Sequence, residues 1–332
     1  MIRISLVTLY VFTLSMVMIN TGFSYINVTG TAGVPPALIT KVQSEFLKYQ
    51  SQSDLARGIA NASAYSAHAV SQRGYLGFDS FAITMGGMIG FQPSSTSVDF
   101  YNHFGNELRD RGDAEMGVVV NVPTIQVSWH ATPIMNSLYI GIRFGYIDYA
   151  YNNWQFNVLT LGLPVSYQLV DYTHIASGNI LWRGLSINSG VFYQSNKIKY
   201  YFNQDQVSDA TYSVEPAFTI TAEATLWIIP FEITTGIRFL WVFNISAGAG
   251  IDFVFGISRL TYDGDPIVYL SGNPFGKLII TGEEPGKTPK AFMPKLVASV
   301  GFNFDIIILD VPFAYYYLDR GFSVGITVGF LW

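Results

Sequence analysis

Few residues in this 332-residue chain have the types and spacing that chemistry requires. Gly321, Ser323 and Gly325 match the Gly-x-Ser-x-Gly pattern of a serine nucleophile, which functions between a strand and a following helix and beside a histidine. Here the pattern lies in a strand-like stretch at the end of the chain, with no helix after it. The chain has no cysteine, and its histidines lack the paired spacing of metal ligands: His68, His103, His130 and His174. The sequence therefore predicts no enzyme, no metal site and no cofactor.

Isolated charged residues are the second group that could carry function. Each lies within a largely apolar segment whose remaining positions are mostly Gly, Ser, Thr and Asn. They are Arg143, Arg183, Glu223, Glu232, Arg238, Asp252 and Asp310. A soluble sheet would carry many Lys and Glu on its solvent face, whereas small polar groups with single charges are typical of the lumen of a membrane barrel. We therefore expect these side chains to face a lumen.

The composition indicates a membrane protein without membrane helices. Half of the residues are hydrophobic and 12% are charged, against roughly 25% charged in an average soluble domain. These values exclude disorder, collagen and coiled coil. After residue 24, no uninterrupted apolar run reaches the roughly 18 residues that a membrane helix needs. The net charge of −5 provides no basic patch, so nucleic acid is not an expected partner.

The patterns divide the chain into three segments. Residues 1–24 predict a secretory signal peptide, with an N-terminal membrane anchor as the alternative. Residues 25–76 predict two short helices, the second over 54–69. Residues 77–332 predict the main β-barrel domain.

The second segment has two interpretations. In the first, its helices plug the lumen, and Arg57, His68 and Arg73 meet acids of the inner wall such as Glu223 or Asp252. In the second, the helices form a periplasmic extension whose charges are solvated. Helices that are rich in alanine and poor in charge are better suited to being enclosed than to standing in water.

From residue 78 almost to the end, apolar residues occupy every second position. Phe81, Ile83, Met85 and Ile89, for example, alternate with small residues. This period of two places one sheet face in an apolar medium, and a closed barrel is the sheet that satisfies its backbone within a bilayer. The sequence therefore predicts an all-β fold, a transmembrane antiparallel β-barrel of about 12 strands (10–14) with a short N-terminal helical plug.

The strand count contains one uncertain turn. Eleven segments show the alternating pattern, whereas a barrel with both ends in the periplasm needs an even number, so one strand is expected to be hidden. Two of the segments, 213–228 and 230–242, predict a hairpin that turns near Pro230 and pairs Glu223 with Arg238. The stretch 86–90, with a glycine at each end, predicts space for the plug.

The segment 259–291 is the expected main extracellular loop. It is rich in Gly and Pro, and its charged side chains are candidates for contact with molecules outside the cell. These are Asp263, Asp265, Lys277, Glu283, Glu284 and Lys287.

Parts of the chain resemble known families. The last strand alternates to Phe330 and a final Trp332, and it is similar to the C-terminal insertion signal of bacterial outer-membrane barrels. That similarity implies outer-membrane lipid and the barrel assembly machinery as partners. The stretches 60–77, 181–184 and 309–316 resemble a spirochaetal outer-membrane surface-protein family, some of whose members are described as adhesins for host matrix proteins. A helix-plugged barrel of this size also resembles long-chain fatty-acid transporters of the outer membrane.

Two functions follow as expectations. The first is a plugged channel or transporter for small or hydrophobic solutes in the bacterial outer membrane, with extracellular loops. The alternative is a surface adhesin whose 259–291 loop binds host extracellular-matrix proteins while the lumen stays closed.

Overall fold

The computed structural model describes residues 25–31, 33–47, 53–68, 80–93, 117–131, 134, 137–176, 179–202, 207–208, 212–215, 217–304 and 306–332. The predicted signal peptide at 1–24 and the plug residue Arg73 lie outside these residues. Two helices are present among them, α1 (Pro36–Leu47) and α2 (Ser53–Ser66). Neither is both long and apolar enough to cross a bilayer.

Sixteen strands make up most of the described chain. They are β1 (Tyr25–Gly30), β2 (Phe81–Gln92), β3 (Gly117–His130), β4 (Leu138–Tyr151), β5 (Trp154–Val170), β6 (Thr173–Ala176), β7 (Ile180–Phe202), β8 (Val207–Ser208), β9 (Tyr212–Glu215), β10 (Phe218–Phe239), β11 (Phe243–Gly264), β12 (Ile267–Leu270), β13 (Asn273–Lys287), β14 (Phe292–Phe304), β15 (Ile307–Tyr316) and β16 (Gly321–Leu331).

Ten of the described strands close into a ring. Their order is β2, β3, β4, β5, β7, β10, β11, β14, β15 and β16, and β16 pairs with β2 to complete the barrel. All neighbours in the ring are antiparallel. The predicted transmembrane β-barrel is therefore confirmed, at the lower end of the expected range of strand number.

The predicted hairpin at Pro230 is wrong, and this error explains the odd count. Strand β10 runs without a break from residue 218 to 239, and the turn to β11 is at 240–242. Proline has no amide hydrogen to donate to a ladder, and the hydroxyl of Ser189 on β7 donates to the Pro230 carbonyl (2.7 Å). Glu223 and Arg238 consequently lie on one strand and do not form the expected pair. Joining the two segments turns eleven into ten, so no hidden strand is needed.

The alternation places large apolar side chains on the outside of the barrel. On β10, Trp227, Ile229, Phe231 and Ile233 are exposed outward, while Glu232 between them is buried inside. A row of exposed aromatic and aliphatic residues of this kind requires an apolar medium, as the lipid-facing band of a membrane barrel does. In the first half of β10, the apolar side chains that were expected to face lipid point into the barrel instead. Because the strand is continuous, Leu226 faces inward, where it is buried.

Helix α2 lies inside the ring. It contacts strands on opposite sides of the barrel, including β2, β3, β10 and β11, and every residue from Ala60 to His68 is buried. A helix buried on all faces must be enclosed rather than lie on a surface. The predicted helical plug is thereby confirmed for α2, whereas α1, which the plug interpretation also places in the lumen, packs against β1.

One part of the barrel wall extends well beyond the rest. Strands β7, β10 and β11 have 23, 22 and 22 residues, whereas β15 and β16 have 10 and 11. The extended part is widened by β13, which pairs with both β11 and β1, and by β12, which joins β13 to β9. We call this the protruding sheet (β1, β9, β12, β13 and the adjoining ends of β5, β7, β10 and β11). We call its end of the barrel the sheet end and the opposite end the turn end.

The predicted outer loop is therefore mostly strand. Residues 259–264 belong to β11, 267–270 to β12 and 273–287 to β13. Its Gly and Pro content suggested a loop, but the sequence has no feature that reveals pairing with the distant strands β1 and β9.

Candidate functional site

Two wall glycines allow helix α2 to approach the inner wall closely. A Cβ atom at Gly90 on β2 would lie against the carbonyl oxygen of Ala62 and 2.9 Å from the Ser66 nitrogen. A Cβ atom at Gly117 on β3 would meet the backbone of Gly58 in the same way. Only glycine, which has no side chain, permits backbone contact of this kind. The space for the plug that was expected at 86–90 is present at Gly90.

Wall side chains hold the C-terminal end of α2. Asn121 donates to the Ser66 carbonyl (3.1 Å), and Arg143 donates to the Ala67 carbonyl (3.0 Å). The last carbonyls of a helix have no partners within the helix and carry a partial negative charge, which a cation stabilises. Gln126 accepts two hydrogen bonds from the Arg143 guanidinium (2.6 and 2.9 Å) and fixes its direction. The plug is therefore attached to the wall by buried polar contacts as well as by packing.

A buried ionic cluster lies next to this helix end. Lys295 Nζ is 2.6 Å from Glu232 Oε1 and 2.6 Å from Asp252 Oδ1, and all three side chains are buried. His68, which directly follows the helical segment, brings its Nε2 to 3.4 Å from Asp252 Oδ2 and 3.3 Å from Lys295 Nζ. Tyr316 donates a hydrogen bond to Asp252 (2.9 Å). We call these five residues the lumen cluster. It joins the plug to strands β10, β11, β14 and β15.

Three members of the lumen cluster have the chemistry of metal ligands. One donor atom from each of His68, Glu232 and Asp252 lies within 4.8 Å of the others, and imidazole with two carboxylates can bind a divalent ion. The ammonium of Lys295 lies among these donor atoms, in contact with both carboxylates. Its positive charge would oppose a second cation there, so the arrangement is suited to a salt-bridge network.

A second set of contacts fixes the plug nearer the sheet end. Tyr65 stacks on Tyr316, with ring centroids 3.9 Å apart, and its hydroxyl donates to Gln92 (2.6 Å). Gln92 in turn donates to the Asp319 carbonyl (3.1 Å). The Asp319 carboxylate pairs with Lys290, whose amide nitrogen donates to Asn61 on the helix (3.1 Å). These bonds connect the helix to both sides of β16.

Of the other expected lumen charges, three lie on the inner side of the wall and one lies on the outer side. Asp310 is buried inside, and Arg238 is turned inward by its register against the buried Asn244. Arg183 lies beside the inward-facing Gly236 at the turn end. Glu223 is the exception, because it faces outward on the protruding sheet. Arg57 is half-buried on the first half of α2.

The outward face of the protruding sheet changes character along each strand. On β10 the apolar series ends at Trp227, whose ring lies 5.1 Å from that of Tyr193 on β7. Nearer the sheet end than this aromatic pair, Glu223 forms ion pairs with Lys197 (2.5 Å) and Arg259 (2.7 Å). An aromatic belt followed by charge marks the interface between hydrocarbon and water. The rest of the protruding sheet therefore lies outside the membrane.

The protruding sheet has its own hydrophobic core. Helix α1 packs on the inner face of β1, and the two contribute buried aliphatic residues together with β9, β11, β12 and β13. The core residues are Ile26, Val28, Val34, Leu38, Val42, Val214, Leu260, Tyr262, Val268, Leu278 and Ile280, together with Ala56 of α2 and Ala222 of β10. A sheet backed by such a core holds a fixed shape, which a solvated loop does not.

The residues of the expected outer loop occupy different environments in this sheet. Asp263 and Glu283 are exposed, Lys287 is half-buried, and Glu284 is fully buried. Lys277 and Asp265 are exposed and form an ion pair (3.2 Å). The face available to a ligand is therefore set by strand alternation and includes only part of the predicted set.

Sequence reasoning missed Lys295, the central cation of the lumen cluster. The predicted strand over 292–305 matches β14 (Phe292–Phe304), in which Met293, Lys295 and Val297 all face inward. Lys295 occupies an inward position of the predicted alternation but was not among the expected lumen charges.

Comparison with solved structures finds membrane barrels at low similarity. The translocator domain of autotransporter NalP from Neisseria meningitidis is 13% identical, with a TM-score of 0.37 over 82% of this chain and 100% of that chain. The toluene transporter TbuX from Ralstonia pickettii is 9% identical, with a TM-score of 0.27 over 83% and 98%. The β domain of the Bordetella autotransporter Brka is 10% identical, with a TM-score of 0.29 over 76% and 100%.

The sequence comparisons are more specific. No curated protein matches the chain, and the expected resemblance to long-chain fatty-acid transporters is not shown. The model of the Lsa36-like family matches residues 32–332, which include the plug and the whole barrel. The chain therefore belongs to the Lsa36-like family.

Proposed function

We propose that this protein is a sealed outer-membrane barrel that binds a host macromolecule through its protruding sheet. The observation that carries the proposal is the length of β7, β10 and β11, which have 22 or 23 residues each. A membrane crossing needs about 9–11 residues at a 45° tilt. Half of each strand is therefore not required to anchor the protein and serves to hold a sheet away from the bilayer.

The proposed orientation places the sheet end outside the cell. The longest connections of the barrel, 93–116 and 265–291, are at the sheet end, whereas the turn at 240–242 and the connection between β14 and β15 at the other end are short. Outer-membrane barrels have long extracellular loops and short periplasmic turns. Membership of the Lsa36-like family, which suggests a surface adhesin, supports the same orientation.

The exposed face of the sheet suits a polar ligand. Its outward side chains include the polar groups of Asn27, Thr219, Thr261, Asp263 and Thr281, with Tyr25 and Ile279 exposed beside them. The polar groups donate and accept hydrogen bonds without a strong net charge. A host matrix protein, which presents polar side chains and backbone over a large area, fits such a surface.

The test is binding of whole cells to an immobilised basement-membrane extract. Cells that express the wild type should adhere above cells without the protein. Thr281→Arg places a long charged side chain on the exposed face of β13, and we expect it to reduce adhesion at least threefold. Thr173→Arg is the matched control, because Thr173 is also an exposed strand threonine but lies at the turn end. Equal adhesion of all three proteins would contradict the proposal.

Passage of small solutes is the second candidate function. The inner wall toward the turn end carries small polar side chains, among them Thr234, Asn244, Ser246, Ser299 and Asn303. This lining favours polar solutes, but passage would require movement of α2. Steady conductance of the purified wild type in planar bilayers would support transport, whereas a closed baseline supports the sealed barrel.

A further inference from the structure

We infer that the N-terminal segment crosses the membrane inside the barrel, so that β1 and α1 form part of the cell-surface sheet. The crossing itself follows from contacts at three heights of the lumen. Its direction rests on the orientation given under the proposed function.

The segment begins at the sheet end. Strand β1 pairs with β13 over its full length, from Tyr25 opposite Glu283 to Gly30 opposite Leu278. Strand β13 pairs in turn with the last residues of β11, beyond the aromatic belt. Helix α1 packs against β1 and adds Leu38 and Val42 to the core of the protruding sheet. Both elements therefore lie outside the membrane-spanning part of the wall.

The segment then descends through the lumen. Near the start of α2, the Ala56 carbonyl accepts a hydrogen bond from Ser258 (2.6 Å), which is high on β11. Just beyond the C-terminal end of α2, His68 contacts Asp252. Asp252 lies on β11 six residues nearer the turn end than Ser258. The helix therefore points from the sheet end toward the middle of the barrel.

The segment leaves at the turn end. Ser80 donates from its amide nitrogen to the Trp332 carbonyl (2.7 Å) and accepts from the His130 amide (3.0 Å). His130 is the last residue of β3 and Trp332 directly follows β16, and both lie at the turn end. The twelve steps from His68 to Ser80 span at most about 40 Å. That length is too short to leave by the sheet end and return along the outside, past a hydrocarbon layer of about 30 Å.

This path constrains how the barrel could open. A plug attached only on the periplasmic side could swing out into the periplasm, but here the segment is hydrogen-bonded into the sheet at one end and into the barrel rim at the other. Withdrawal would require β1 to separate from β13 and to pass through the lumen with α1. The ligand-binding surface is thus made of the barrel and of the chain that precedes it.

Cysteine labelling tests the inference, because the natural chain has no cysteine. Asn27→Cys places a thiol on β1, Thr281→Cys on β13 and Thr173→Cys at the turn end, and all three positions are exposed. A membrane-impermeant maleimide should label the first two on intact cells and the third only after lysis. Labelling of Thr281→Cys but not Asn27→Cys on intact cells would overturn the inference and leave the proposed function standing.

A double variant separates the path from the orientation. Asn27 and Thr281 are direct partners in the β1–β13 ladder, and opposite residues in such a ladder are about as close as the two halves of a disulfide. Mild oxidation of the folded Asn27→Cys/Thr281→Cys protein should therefore join its two thiols in a disulfide. Tyr25→Cys/Glu283→Cys is the second pair, for use if the first does not fold. If only Thr173→Cys were labelled on intact cells, the turn end would face outward and the proposed function would be wrong. If both folded double variants kept free thiols after oxidation, the inferred path of the N-terminal segment would be wrong.

Discussion

Lys295 is the residue on which the attachment of the plug depends most. Its ammonium is fully buried between Glu232 and Asp252, and a buried charge is tolerated only when it is paired and hydrogen-bonded. Through Asp252 it also influences His68, which belongs to the plug. Loss of this one cation would leave two carboxylates close together without compensation.

We predict that Lys295→Met destabilises the folded protein by about 3–5 kcal/mol, the usual effect of removing one partner of a buried ion pair. The measurement is urea-induced unfolding in lipid vesicles, followed by tryptophan fluorescence. Lys277→Met is the matched control, because it removes the exposed pair with Asp265, which should contribute only about 0–1 kcal/mol. A similar loss for both variants would mean that Lys295 is not the central cation of a buried network.

The alternation alone predicts that isolated charges such as Arg143 and Asp252 face the lumen. It cannot predict which of them meet. The lumen cluster joins residues that are 43 to 227 positions apart in the chain, for example Asp252 with Lys295 and His68 with Lys295. Those contacts depend on strand register and on the height of α2, and a single sequence contains neither.

At the scale of elements, helix α2 fits the lumen because the wall facing it has no side chains at Gly90 and Gly117. Its own residues at the contacts are small, including Gly58 and Ala62. Close packing between backbones leaves no room for even one added methyl group without a shift. The close approach of the plug to β2 and β3 is therefore made possible by glycines on the barrel.

We predict that Gly90→Ala displaces α2 and destabilises the protein by about 1–3 kcal/mol, as overpacking of a close-packed core does. Gly236→Ala is the control, because it adds the same methyl group to an inward face away from the helix, where the nearest atom is 3.0 Å away. Urea unfolding measures the stability of both variants, and planar-bilayer conductance reports displacement of the helix. Equal stability and a closed baseline for both would show that the helix does not rely on this contact.

The existence of the elements was more predictable than their boundaries. Alternation predicts the ring strands, and the alanine-rich stretch at 54–69 predicts the second helix. The continuous β10 was not predictable, because the accommodation of Pro230 depends on Ser189, 41 positions away. Strand β1 is not predicted because its partner β13 lies in the segment that is expected to be a loop. Its six residues are also too short a run for a period of two to stand out.

At the scale of the whole molecule, the difference in strand length divides the barrel wall into two regions. The short strands β15 and β16 are sufficient to cross the bilayer, and they bring the wall to the height of the aromatic belt. The long strands β7, β10 and β11 continue past it and exchange their lipid-facing residues for Thr, Lys, Glu and Arg. One side of the barrel is thus a membrane anchor and the base of a surface structure at once.

Two substitutions on the same face of β10 test this division. Ile233 lies within the outward apolar series, and Thr221 lies twelve residues away, on the same face and beyond Trp227. Arginine on a lipid-facing position near the bilayer midplane costs about 2–4 kcal/mol, and near or beyond the interface about 0–1 kcal/mol. We therefore expect Ile233→Arg to reduce the free energy of unfolding in lipid vesicles by the larger amount. Thr221→Arg should change it little. The measurement is urea titration of the folded protein in the vesicles, which gives its free energy of unfolding. If Thr221→Arg were as damaging as Ile233→Arg, hydrocarbon would cover both positions, and the upper half of β10 could not stand in water as part of a binding surface.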